Sequence, residues 1–186
     1  MKRPWVTLLF VAMVPATQAF PGVGQASHPV LQQEEYWDAS DWYLSGLALN
    51  SAGMYPEAAE AFRMALSIEP RNPLCWLNFG TDLALAGDYP GAIHALERSL
   101  KLSPDLSLGY SNLGEVYFRA GQFRRSIETF GTLLELQPQD ANARYKRGLA
   151  FLLLGERTSA LTEYALLRDV DPILAGRLLK AIDHKE

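Results

Sequence analysis

The chain has 186 residues, 20% of them charged and 48% hydrophobic, with a formal net charge of −4. It carries no basic stripe of the kind a nucleic-acid binder uses to displace counterions, which argues against nucleic acid as a partner. Its one cysteine, Cys75, excludes an intramolecular disulfide, so packing alone must hold the fold.

Residues 1–19 read as a secretory signal peptide. Lys2 and Arg3 give the positive start, Val6–Val14 is a mostly apolar run, Pro15 ends it, and Thr17-Gln18-Ala19 sets small residues at a peptidase site. The run is too short for a retained anchor, since a spanning helix needs about 20 apolar residues. Cleavage near Ala19 therefore predicts an exported protein, periplasmic or secreted, with a net charge of −6 once Lys2 and Arg3 are gone. Residues 20–38 lack apolar periodicity and contain Pro21, Gly22, Gly24 and Pro29, as a flexible lead-in does. Tyr36 and Trp37 stand next to the first repeat, placed to cap its apolar end.

From residue 39 the chain repeats. Glycine recurs at Gly46, Gly80, Gly114 and Gly148, and again at Gly53, Gly87, Gly121 and Gly155; proline recurs at Pro70, Pro104, Pro138 and Pro172. Each set has a period of 34 residues, which divides the chain into units 39–72, 73–106, 107–140 and 141–174. That period predicts helix–turn–helix units stacked on one another. The first glycine of each unit costs about 1 kcal/mol inside a helix, and close approach of the two helices accounts for its recurrence. The spacing places Gly46, Gly80, Gly114 and Gly148 opposite Ala58, Ala92, Ser126 and Ala160. The second glycine supplies the left-handed cap of the first helix. Pro56 and Pro90 then fall in the first turn of the second helix, where the missing N–H costs nothing. The third recurrent residue, proline, ends the second helix.

The fourth unit departs from the others at Arg144, Arg147 and Arg157, although Leu149 and Phe151–Leu154 keep its first helix apolar. After Pro172, residues 173–183 carry Ile173, Leu174, Leu178, Leu179 and Ile182 at helical spacing. This predicts a capping helix over the open end of the last unit.

With the first glycine of each unit as position 8, the pattern resembles the tetratricopeptide repeat. Trp42, Trp76 and Tyr110 occupy its aromatic position 4, Ala58, Ala92 and Ala160 its alanine position 20, and Phe62, Phe130 and Tyr164 its aromatic position 24. The resemblance covers residues 39–174. It implies an all-α, right-handed α-solenoid with a terminal capping helix, used as a protein-binding scaffold. It also implies a concave groove lined by positions 2, 5, 9 and 12 of the first helices.

Those positions carry Ser40, Tyr43, Leu47 and Asn50; Leu74, Leu77, Thr81 and Ala84; Leu108, Ser111, Glu115 and Phe118; Asn142, Tyr145, Leu149 and Leu152. Asn78, Asn112 and Lys146 lie on the groove's shoulder at position 6, and Leu85 adjoins it. A side-chain amide both donates and accepts, which suits a bound peptide backbone; equally, asparagine is the family's commonest residue there. In some members lysines, arginine and asparagines clamp the C-terminal carboxylate of a chaperone tail. Here the clamp positions hold Leu77, Thr81, Asn112, Asn142 and Lys146, of which only Asn112 and Lys146 suit that task. The mostly apolar groove instead favours an amphipathic helix or an apolar peptide.

No catalytic constellation stands out. His28, His94 and His184 are scattered, no nucleophile pairs with a base, and the glycines keep a fixed period unlike a phosphate-binding loop. Cys75 reads as a small, partly buried hydrophobe. The expectation is a binding protein without metal or cofactor. Two classes remain open: an adaptor holding a peptide or helix of another envelope protein, and a structural subunit packed into a secretion, pilus or envelope-assembly complex or onto a second copy of itself. Charge is uneven, with 11 acidic and 4 basic residues over 20–106 against 10 and 11 over 107–186.

Overall fold

The computed structural model describes residues 37–184, all in the second of the two units into which the chain divides after Glu35. The signal peptide and most of the lead-in, Tyr36 included, lie outside the described residues. The described residues form nine helices and no strand: α1 (Ala39–Ser51), α2 (Tyr55–Ile68), α3 (Pro73–Leu85), α4 (Tyr89–Leu102), α5 (Ser107–Arg119), α6 (Phe123–Leu136), α7 (Ala141–Leu153), α8 (Arg157–Arg168) and α9 (Pro172–Asp183). None is long and apolar enough to cross a membrane.

Local chemistry sets the helix ends. Asp38, Asn72 and Asp140 accept at 2.9–3.0 Å from the backbone N–H three residues on, capping α1, α3 and α7. At α1 the Asp41 carboxylate returns the bond to the Asp38 N–H at 3.0 Å, completing a capping box. Every first helix then closes in the same way. Gly53, Gly87, Gly121 and Gly155 have φ of 75°, 90°, 73° and 80°. Around Gly53, its own N–H reaches the Asn50 carbonyl at 2.9 Å and the Met54 N–H reaches Leu49 at 3.0 Å, the doubled closure known as the Schellman motif. The other three turns repeat those bonds. Pro56 and Pro90 fall in the first turns of α2 and α4, as expected. Pro172 differs from the other repeat prolines, because it starts α9 where they follow the end of a second helix.

Within each pair the helices pack closely, but the residue over the glycine is not the one expected from spacing. A Cβ at Gly46 would stand 2.7 Å from the Phe62 ring, and one at Gly114 2.8 Å from the Phe130 ring. The ring at position 24 thus covers the glycine of its own unit. The small residues at position 20 are fully buried and let the backbones near. At Gly80 the Ala92 carbonyl does lie 3.1 Å from a Cβ position, and the Ser126 hydroxyl donates to the Gly114 carbonyl at 2.8 Å. At Gly148 the nearest atoms belong to Leu178 of α9 and Glu163, not to Ala160. Burying each of these large side chains stabilises the fold by about 1.5–3 kcal/mol.

α9 packs on both α7 and α8, and its buried Ala175, Leu178 and Ile182 join Leu152, Ala160 and Leu167 in one cluster. Arg157 donates to the Ile182 carbonyl near the C-terminal end of α9. The third departure of the fourth unit is therefore a cation set where the helix dipole favours one.

Candidate functional site: the wall of first helices

The first helices α1, α3, α5 and α7 line one wall, with α5 packed on α3 and α7, while each second helix packs on first helices. Side chains from successive first helices are joined by polar clasps. The Asn78 amide donates to the Tyr43 hydroxyl at 3.1 Å, and Asn50 donates to the Asp82 carboxylate. Asn112 donates to the Thr81 hydroxyl at 2.9 Å, while that hydroxyl donates to the Leu77 carbonyl at 2.8 Å. Lys146 meets Glu115 at 2.6 Å. Position 6 of one unit thus reaches back to position 5 or 9 of the unit before. Asn78 and Asn112, which the sequence left open between a ligand-binding role and the family's commonest residue, thus tie the repeats together, each with part of its amide.

Leu77 requires a correction. It is 3% exposed, in a core cluster with Leu96, Leu113 and Tyr117, so it lies beneath the wall and offers a ligand nothing. By contrast Leu47, Leu74, Leu85 and Leu108 are exposed, Leu108 at 56%. Ser111, Phe118, Tyr145 and Leu149 are half-buried. The Phe118 ring lies 5.6 Å from that of Phe123, with the Lys146 ammonium 5.8 Å from its centroid. A cavity of about 50 Å³ beneath Tyr43, lined also by Ala39, Asn72 and Cys75, has room for water but not for a bound side chain.

Charge on the wall gathers at one end. Glu115 also takes the Arg119 guanidinium at 2.7 Å. Burial pushes its carboxyl up, but Lys146 and Arg119 outweigh that and hold it below the ordinary range. The wall positions of α1 and α3 carry no such group. Asp82, behind them, is wholly buried. Burial pushes its carboxyl up to about 6, with the Asn50 amide partly opposing the shift. Its Oδ2 has no partner. Cys75 is buried as expected, its thiol pushed up to about 12 by burial and then by Glu69, so it is no nucleophile.

Sequence reasoning missed two groups. Asp82 stands at position 10, where the other units have Ala48, Val116 and Ala150. Glu163, 4% exposed, stands at position 23, where they have Ala61, Ala95 and Thr129. Arg147 reaches Glu163 at 2.7 Å and Arg144 lies 3.7 Å from it. A charge at a position otherwise small or apolar was the available signal in both cases. Among the described residues no group of three or more metal-ligating side chains converges.

Descriptions of two repeat families match this chain: "Tetratricopeptide repeat" over residues 111–171 and "TPR repeat" over residues 80–121. Together they run from within the second helix pair through the fourth. No curated protein matches. Among solved structures the chain is similar to YrrB, described as a TPR protein with an unusual peptide-binding site, at 24% identity and a TM-score of 0.71, over 76% of this chain and 74% of that one. It is similar to MamA from Desulfovibrio magneticus at 19% identity and a TM-score of 0.69, over 79% and 94%. It also resembles the first TPR of Spaghetti bound to an HSP90 peptide, at 19% and 0.61, over 63% and 94%. With the 34-residue grid, the glycine-closed turns and the paired helices, the two family matches show that residues 80–171 of this chain are tetratricopeptide repeats.

Proposed function

We propose that the protein is exported and holds an apolar peptide or amphipathic helix of another envelope protein along the wall of first helices, centred on the second and third pairs. One observation carries the reading: Leu74, Leu85 and Leu108 stand exposed, and Phe118 half-exposed, on a wall several of whose polar side chains are bonded to one another. Apolar anchors supply the affinity. Asn78 and Asn112 each keep a second N–H and a carbonyl for the bound backbone. The structure of Spaghetti with a peptide and the description of YrrB support such a use of the fold. The role is one of binding, not catalysis.

Two measurements test this. N-terminal sequencing of the protein isolated from its own cells should begin near Phe20; an intact Met1 would overturn export. For the groove, the Leu85→Glu/Leu108→Glu protein should lose capture of a partner from an envelope extract and keep its helical circular dichroism. A control altered on second helices, Arg98→Ala/Glu128→Ala, should retain capture. The reverse result would overturn the groove and favour a structural subunit packed through its outer helices.

A further inference from the structure

The two ends of the solenoid carry complementary faces. In α3, α5 and α7, motif positions 3, 6 and 10 face the preceding helix pair. Position 3 is Cys75, Gly109 and Ala143, and position 10 is Asp82, Val116 and Ala150, all buried. Position 6 is Asn78, Asn112 and Lys146, each clasped to the unit before. α1 carries Asp41, Leu44 and Ala48 at these places, and among the described residues no helix pair precedes it. All three are exposed, Leu44 at 62%.

At the other end, α9 packs on α7 and α8 as the first helix of a further pair would, and no second helix follows among the described residues. Ile173, Gly176, Arg177 and Lys180 form one exposed stripe, with Ile173 at 72%. A Cβ at Gly176 would meet nothing within 4 Å, so the stripe has a hollow at its middle.

The two stripes match in length and order. Asp41 to Ala48 and Ile173 to Lys180 each span two helical turns, about 10 Å at a rise of 1.5 Å per residue. Laid antiparallel, Asp41 faces Lys180, Leu44 fills the hollow at Gly176 beside the Arg177 stem, and Ala48 meets Ile173. The parallel alignment sets Asp41 against Ile173 and loses the ion pair. The acidic first half of the chain and the more basic second half favour the same head-to-tail encounter at longer range. We infer that α1 of one molecule docks antiparallel on α9 of a second copy. The contact is heterologous, so each joined pair keeps one free α1 and one free α9 and further copies add. A single helix–helix contact lies at the small end of protein interfaces, so assembly depends on concentration.

Sedimentation velocity of the purified full-length mature protein over a wide concentration series is the test. The wild-type mass should rise from one chain through two and beyond. Leu44→Glu and Ile173→Glu should each remain single chains. Their equimolar mixture should form dimers and stop there, because the first keeps its α9 face and the second its α1 face. Lys180→Glu, a milder change at an exposed site, should weaken assembly several-fold. Wild-type protein that stays a single chain throughout overturns the inference, as does assembly that survives in both glutamate variants or a mixture that fails to dimerise.

Discussion

Arg144 donates from its guanidinium to the Pro138 carbonyl at 2.7 Å. The Trp76 indole makes the same contact six residues back, to the carbonyl of Pro70 at the end of the preceding unit, at 2.8 Å. The arginine that breaks the aromatic pattern of position 4 therefore keeps one role of the aromatic, tying its helix to the turn before it. Its charge then needs a counter-charge, and Glu163 supplies it from α8.

That arrangement predicts strong coupling. Arg147→Ala leaves Glu163 buried with its closest cation gone, and should cost about 3 kcal/mol, the scale for breaking a buried pair from one side. The triple change Arg144→Trp, Arg147→Leu and Glu163→Ala restores the pattern of the other units. It should be near neutral or stabilising, since well-packed apolar residues often match a buried ion pair. Urea denaturation of the single and triple variants decides; a triple variant as unstable as the single one contradicts the explanation.

Close packing over the glycines gives a second expectation. Gly114→Leu pushes a side chain into the Phe130 ring and should lower stability by about 1–3 kcal/mol or more. His94→Ala, at an exposed site on α4, should stay within about 0.5 kcal/mol. Thermal melts that shift equally for both would show that the facing of the helices is wrong.

Asp82 gives a pH dependence whose sign follows from its surroundings. Burial raises its carboxyl from 3.8 to about 6, so the folded state binds the proton more tightly than the unfolded state does. Above pH 6 the buried charge lowers stability by roughly 2–3 kcal/mol, and this penalty is relieved as pH falls from 6 towards 4. Asp82→Asn removes the titrating group. The stability difference between this variant and the wild type should therefore favour the variant at pH 7.5 and shrink at pH 4.5, measured by urea unfolding at each pH. A difference that does not change with pH would refute this role for Asp82.

The repeat was legible because glycine and proline act through the backbone. A positive φ at Gly53 or a missing side chain at Gly46 leaves a mark at a fixed position whatever the neighbours are. The wall was legible only as a list of positions. Helical spacing set Leu77 on the same face as Leu74 and Thr81, yet the approach of α5 buries Leu77 and leaves Leu74 exposed. Spacing within one helix carries no information about which edge of a stripe the next repeat covers. The asparagines show the same limit. Asn78 finds its partner in Tyr43, 35 residues earlier, and that choice depends on how one unit is offset from the next.

The clasps between successive first helices give the molecule a mechanical asymmetry. Tyr43–Asn78, Thr81–Asn112 and Glu115–Lys146 act as stitches along one side of a spring, while no two second helices pack together to a similar extent. The stitched side resists stretching and the other is free to fan. Widening the wall of first helices means breaking stitches in turn, so under the proposed function the wall would set an upper limit on the girth of its guest. Relaxing a single stitch, as in Asn112→Ala, loosens that limit at one seam and leaves the rest of the spring taut.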